Sequence, residues 1–140
     1  MQTGRILKAG IAVGVVMNIY DIVVNMYIFP MLGPSPSFMK DMASLPMVWL
    51  VIADFVAALV FIWFFDRVRA AFGPGAKGGA TYGVMAGILI NFPLWIVMYL
   101  IMKDFAYGTA WIWTVSGILW GVIAGAVGAI VYDKGGPAAA

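Results

Sequence analysis

Four apolar runs of bilayer-spanning length, separated by short polar breaks, leave this chain few folds to choose from. They cover about residues 6–29, 46–66, 79–102 and 109–132, each close to the roughly 20 residues that cross a membrane as a helix. None alternates apolar with polar residues as the strands of a membrane barrel do, and an open sheet in lipid leaves its edge groups unpaired. The expected fold is an all-α integral membrane four-helix bundle, with residues 1–140 as a single transmembrane domain. At 64% hydrophobic residues and a mean hydropathy of +1.01, the chain carries more apolar surface than a soluble domain of 140 residues can bury.

The few charges set an orientation. Arg5, Lys8, Arg67, Arg69, Lys77 and Lys134 fall at one set of segment ends, against Lys40 and Lys103 at the other. Because cytoplasmic ends are enriched in Lys and Arg, both termini are expected in the cytoplasm. Trp49, Phe105, Tyr107, Trp111 and Trp113 then form an outer aromatic belt, and Trp63, Tyr82 and Tyr132 an inner one. The first outer connection carries a possible interfacial helix at about residues 36–45, with Phe38, Met39, Met42 and Leu45 towards lipid. The stretch Phe72 to Gly79 reads as a Gly/Pro connector; it lacks the G-K-[ST] ending of a phosphate loop. The N-terminal segment has no A-x-A-like cleavage site and is expected to persist as the first helix.

Composition excludes several classes of chemistry. The chain has no Cys and no His, which removes disulfides, thiol catalysis, zinc sites and imidazole ligation of haem. No metal site, cofactor or nucleic-acid partner is expected, since the positive residues flank membrane segments rather than form a basic face. A nucleophile with its base is also missing, so an enzyme is not the expectation.

Polar residues within the spans are costly in lipid, about 3 kcal/mol for a carboxylate near the bilayer centre, and so mark surfaces that face protein or water. In the first segment Gly10, Gly14, Asn18, Asp21 and Asn25 share one narrow helical stripe. Asp54 in the second segment lies at a similar depth to Asp21, and Asn91 stands in the third. These five polar residues form a candidate intramembrane cluster. They suit either a chamber for a cation, proton or small polar solute, or packing alone through hydrogen bonds between helices.

Shifted by 73 residues, Gly83, Gly87 and Asn91 align with Gly10, Gly14 and Asn18, so the first and third segments share Gly-x-x-x-Gly-x-x-x-Asn. The second and fourth end alike, in Asp66-Arg67 and Asp133-Lys134. Two tandem helix-pair repeats are therefore expected, with the first and third helices meeting near the bundle axis. Gly117, Gly121 and Gly125 form a further close-approach stripe on the fourth helix. Pro93, lacking the N–H that would bond the Leu89 carbonyl, is expected to kink the third.

The pattern Asn18-x-x-Asp21-x-x-x-Asn25, together with Asp54, resembles that of small uncharacterised bacterial four-helix integral membrane proteins. The resemblance implies the four-helix fold and a bacterial inner membrane, and no activity. Small, polar and aromatic surfaces on such a chain suit an accessory or scaffold subunit that contacts other membrane subunits or itself. Transport or permeation through the Asp/Asn cluster is the alternative.

Overall fold

The computed structural model describes residues 2–32 and 46–134. The possible interfacial helix at about residues 36–45 and the C-terminal GGPAAA lie outside them. Four helices follow one another: α1 (Thr3–Leu32), α2 (Met47–Phe72), α3 (Gly75–Ile101) and α4 (Tyr107–Lys134). No strand occurs among the described residues. Each helix is long and apolar enough to cross a membrane, which makes this a multi-pass membrane protein. Large apolar side chains on the outer surface, such as Leu89 at 75% exposed and Leu100 at 71%, suit a lipid solvent.

The helices run up, down, up and down, with α1 against α2 and α4, and α3 against α4 and α2. Helices α1 and α3 occupy opposite corners and make no close contact. The expectation that they meet at the bundle axis is thus overturned. Each glycine stripe receives the following helix of its own pair instead. Gly10 and Gly14 lie under Leu59 and Phe55 of α2, a methyl group added at Gly10 falling 2.6 Å from Leu59 Cδ2.

The α3–α4 pair is far tighter. Gly79 faces the Gly125 carbonyl, Gly83 faces the Gly121 carbonyl, and the approach is reciprocal from Gly121 and Gly125. At Gly87 an added methyl falls 2.8 Å from the Ile118 Cα. Backbone thus meets backbone, and Cα–H groups point at carbonyls across the interface, each such contact adding about 0.5–1 kcal/mol.

The connector between α2 and α3 is shorter than the sequence pattern suggests. Only Gly73 and Pro74 lie between the helices, because Gly78 and Gly79 serve close approach rather than a turn: Gly78 packs on the Gly73 carbonyl and Gly79 on Gly125. The turn itself uses the glycines at its ends, Gly73 with φ +81° and Gly75 with φ +74°, a region that side chains with a Cβ avoid. Helix α3 then runs unbroken through Pro93.

The bundle is closed at the end that carries Thr3 and Lys134. Buried Met17, Val13, Ile62 and Phe65 fill its centre, and Tyr82 sits among Phe61, Phe65 and Phe72 at ring separations of 4.7, 5.3 and 5.6 Å. The Tyr82 hydroxyl donates to the Phe61 carbonyl at 2.8 Å. Both tyrosines assigned to an inner belt, Tyr82 and Tyr132, are core residues, since each hydroxyl finds a partner inside. Beyond them Tyr132 donates to Asp66, Arg69 donates to Asp133, and the Gly75 N–H donates to Asp133 Oδ2 at 2.6 Å. The similar endings of α2 and α4 are therefore partners, crossed over so that each acid meets a residue of the other helix.

Candidate functional site: a polar and aromatic chamber

The opposite half of the bundle is wider. Between the four helices lies a cavity of about 470 Å³, floored by Phe61 and Trp120 and rimmed by Phe29, Trp95 and Trp113. Asp21, Asn25, Asn91, Tyr20 and Ser116 supply its polar wall. Among the described residues no Lys or Arg lines it.

Asp21 reaches the wall from α1 with the Asp54 carboxyl of α2 beside it, which is not itself a lining group. The depth match inferred from the sequence is therefore met. A hydrogen bond between the two carboxyl groups requires a proton on one of them, because a pair of ionised carboxylates has no donor.

All three asparagines donate within their own helices. Asn18 Nδ2 bonds the Gly14 carbonyl at 2.9 Å, Asn25 Nδ2 the Asp21 carbonyl at 2.8 Å, and Asn91 Nδ2 the Gly87 carbonyl at 3.1 Å. Each asparagine thus gives one of its two amide N–H groups to its own helix. The Asn91 oxygen in turn accepts from Trp95 Nε1 at 3.3 Å, fixing that indole at the rim. Asn18 does not line the cavity. Among the described residues none of the three amides bonds across helices; at this level the bridges are Asp21 to Asp54 and Tyr20 to Ser116. The Tyr20 hydroxyl donates to the Ser116 carbonyl at 2.8 Å and lies 3.0 Å from its Oγ.

Three parts of the chamber escape sequence reasoning. The first is a π-helical turn over Val24–Ile28, closed by the Phe29 N–H on the Val24 carbonyl. In a regular helix residue 29 stands about 80° around the axis from residue 21. The wider turn brings Phe29 back into line with Asp21 and Asn25, so that all three face the cavity. Pro30 supplies the cause: it has no N–H to give, and its ring would crowd the Met26 carbonyl in a regular helix. A proline so near the end of an apolar run is easily taken for a stop signal.

The second is the aromatic wall. Trp113 and Phe105, assigned from sequence to the outer belt, turn inward, Phe105 being 3% exposed. Trp113 packs edge-on against Trp95 at 4.4 Å and Phe105 at 5.4 Å, and stacks on Phe29 at 5.9 Å. Trp49, Tyr107 and Trp111 remain exposed, as a belt requires. The third is Gly117, which serves less as a helix contact than as the seat of Asn91, whose amide lies where a Cβ would stand.

That seat gives a local test. Gly117→Ala displaces the Asn91 amide and breaks its bond to Trp95, at a cost of about 1 kcal/mol for the lost hydrogen bond. Thermal unfolding in mild detergent is expected to fall only slightly, while tryptophan emission shifts as the indole is released. An unchanged emission spectrum contradicts the assignment.

No metal-binding group of three or more acidic residues occurs among the described residues. No protein-family model, curated protein or solved structure matches the chain.

Proposed function

We propose that this protein is a non-catalytic membrane carrier, or the binding subunit of one, which takes a cationic or polar solute into the chamber from the outer side. The supporting observation is the chamber itself. Helix bundles pack with few voids larger than water, and about 470 Å³ of space lies within the range of small-molecule sites. Asn25 and Asn91, which line it, bond within their own helices instead of joining helices. The accessory-subunit reading draws on the exposed turns of α2 and α3, which lipid also covers, so no observation singles it out.

The enrichment of Arg5, Lys8, Arg67, Arg69, Lys77 and Lys134 at the closed end supports an orientation with that end in the cytoplasm and the chamber outward. Since the chain has no cysteine, single replacements report access directly. Asp104→Cys, in the exposed α3–α4 connection, is expected to react with an impermeant thiol reagent from outside, and Ala76→Cys only after permeabilisation. Ala86→Cys, on the chamber wall, is expected to react from outside with a small charged thiosulfonate. Labelling of Asp104→Cys without Ala86→Cys removes the outward chamber, and same-side labelling of Asp104→Cys and Ala76→Cys removes the topology.

A further inference from the structure

We infer that the chamber selects a monovalent organic ammonium ion, with its charge at Asp21 and its apolar substituents against Trp95, Trp113 and Trp120. This rests on the solute-binding reading above and names the class of solute.

Charge comes first. Among the described residues no Lys or Arg lines the wall, and its carboxyl group is Asp21, flanked by Asn25, whose amide gives one N–H to the Asp21 carbonyl, and by the Tyr20–Ser116 hydroxyl pair. An anion meets the Asp21 carboxyl there and no positive charge among the described residues. A neutral polyol leaves a charge on Asp21 unbalanced. The Asp21–Asp54 pair shares a proton while its hydrogen bond is intact, so it offers at most one negative charge, which one positive charge balances.

The walls then separate organic from inorganic cations. A bare metal cation needs about six or more oxygen ligands to replace its water shell. Asn91 already accepts from Trp95 and Tyr20 is bonded to Ser116, so the oxygens of Asp21 and Asn25 that remain are too few, and most of the rest of the wall is aromatic or aliphatic. An alkylated ammonium has little hydration to lose and is attracted to the faces of aromatic rings, tryptophan most strongly. The rings are preset for this: Asn91 holds Trp95 by its indole N–H, Trp113 stands edge-on to Trp95 with 79° between planes, and Trp120 stands edge-on to Phe61 at 5.9 Å. Such pre-organisation lowers the ordering cost of binding.

The test uses the full chain in mild detergent, titrated with benzyltrimethylammonium chloride at constant ionic strength and followed by calorimetry and tryptophan emission. Saturable binding is expected, weakened roughly tenfold or more by Asp21→Asn and by Trp95→Leu. Binding of the ammonium is also expected to protect Ala86→Cys from the thiosulfonate. Neopentylbenzene, the neutral isostere, is the control. If it protects equally well and Asp21→Asn binds the ammonium like wild type, the chamber takes apolar solutes and the ammonium assignment falls while the solute-binding reading stands. If sodium or potassium chloride displaces the ammonium at equal concentration, the assignment likewise falls. If neither compound binds or protects Ala86→Cys, both readings fall.

Discussion

Gly83→Leu is expected to separate α3 from α4 and to lower stability by about 3 kcal/mol or more, the upper end of what overpacking costs in a closed interface. Even a methyl group at Gly83 overlaps the Gly121 carbonyl, and no rotamer change relieves a clash with backbone. The helices must move apart, and with them the reciprocal contacts of Gly79 with Gly125 and Gly83 with Gly121. Gly83→Ala is expected to show the same effect at smaller size. Gly108→Ala provides the contrast: nothing lies within 4 Å of its added Cβ, and alanine favours a helix by up to about 1 kcal/mol over glycine. Thermal midpoints in one detergent, measured for the three variants beside wild type, decide the matter. A Gly83→Leu midpoint equal to that of wild type refutes the backbone-to-backbone packing.

This interface also shows how far the sequence could be followed. Gly-x-x-x-Gly is legible as close approach because period and residue size together identify one bare helical face. What covers that face is a tertiary fact. The shared stripe invited a symmetric meeting of α1 and α3, yet each stripe turned to the next helix in the chain, with side chains of α2 filling one and the backbone of α4 the other. The helix spans were legible from hydropathy, but their inner ends were read short. Arg69 looked like a residue beyond the membrane segment, whereas its bond to Asp133 lets α2 continue to Phe72. Lys77 had a comparable effect on α3, where Gly78 and Gly79 imitate a flexible linker.

The site was half legible for the same reason. Counting depth along α1 and α2 brought Asp21 and Asp54 together, because rise per residue is nearly constant in lipid. The shared stripe on α1 drew Asn18 into the cluster as well, although Asn18 donates to Gly14 in its own helix and does not line the cavity. The aromatic wall was invisible: Trp95, Trp113 and Trp120 obey no pattern that separates a chamber-facing indole from a lipid-facing one, and both are common at membrane interfaces. The Val24–Ile28 π turn depends on how Pro30 is accommodated, which a window of hydropathy does not report.

The carboxyl pair is where packing and function part most sharply. Replacing Asp21 with Leu leaves the Asp54 carboxyl without its partner, and replacing Asp54 with Leu does the same to Asp21; each single change is expected to cost about 1–3 kcal/mol for the orphaned polar group. The cost rises to about 3 kcal/mol or more if the stranded carboxyl remains ionised at membrane depth. Asp21→Leu combined with Asp54→Leu removes both groups, and the double variant is expected to be close to wild type in stability, since a buried polar pair is often replaced by apolar residues without loss. A double-mutant cycle on thermal midpoints therefore yields a favourable coupling between the two sites of about 1–3 kcal/mol. Asp21→Asn keeps a donor and an acceptor of similar size and is expected to fold normally while losing solute binding, because the negative charge is gone. Additive costs in the Leu cycle refute the direct contact. A folded Asp21→Asn variant that retains wild-type uptake in liposomes removes Asp21 from the binding step, however stable the pair proves to be.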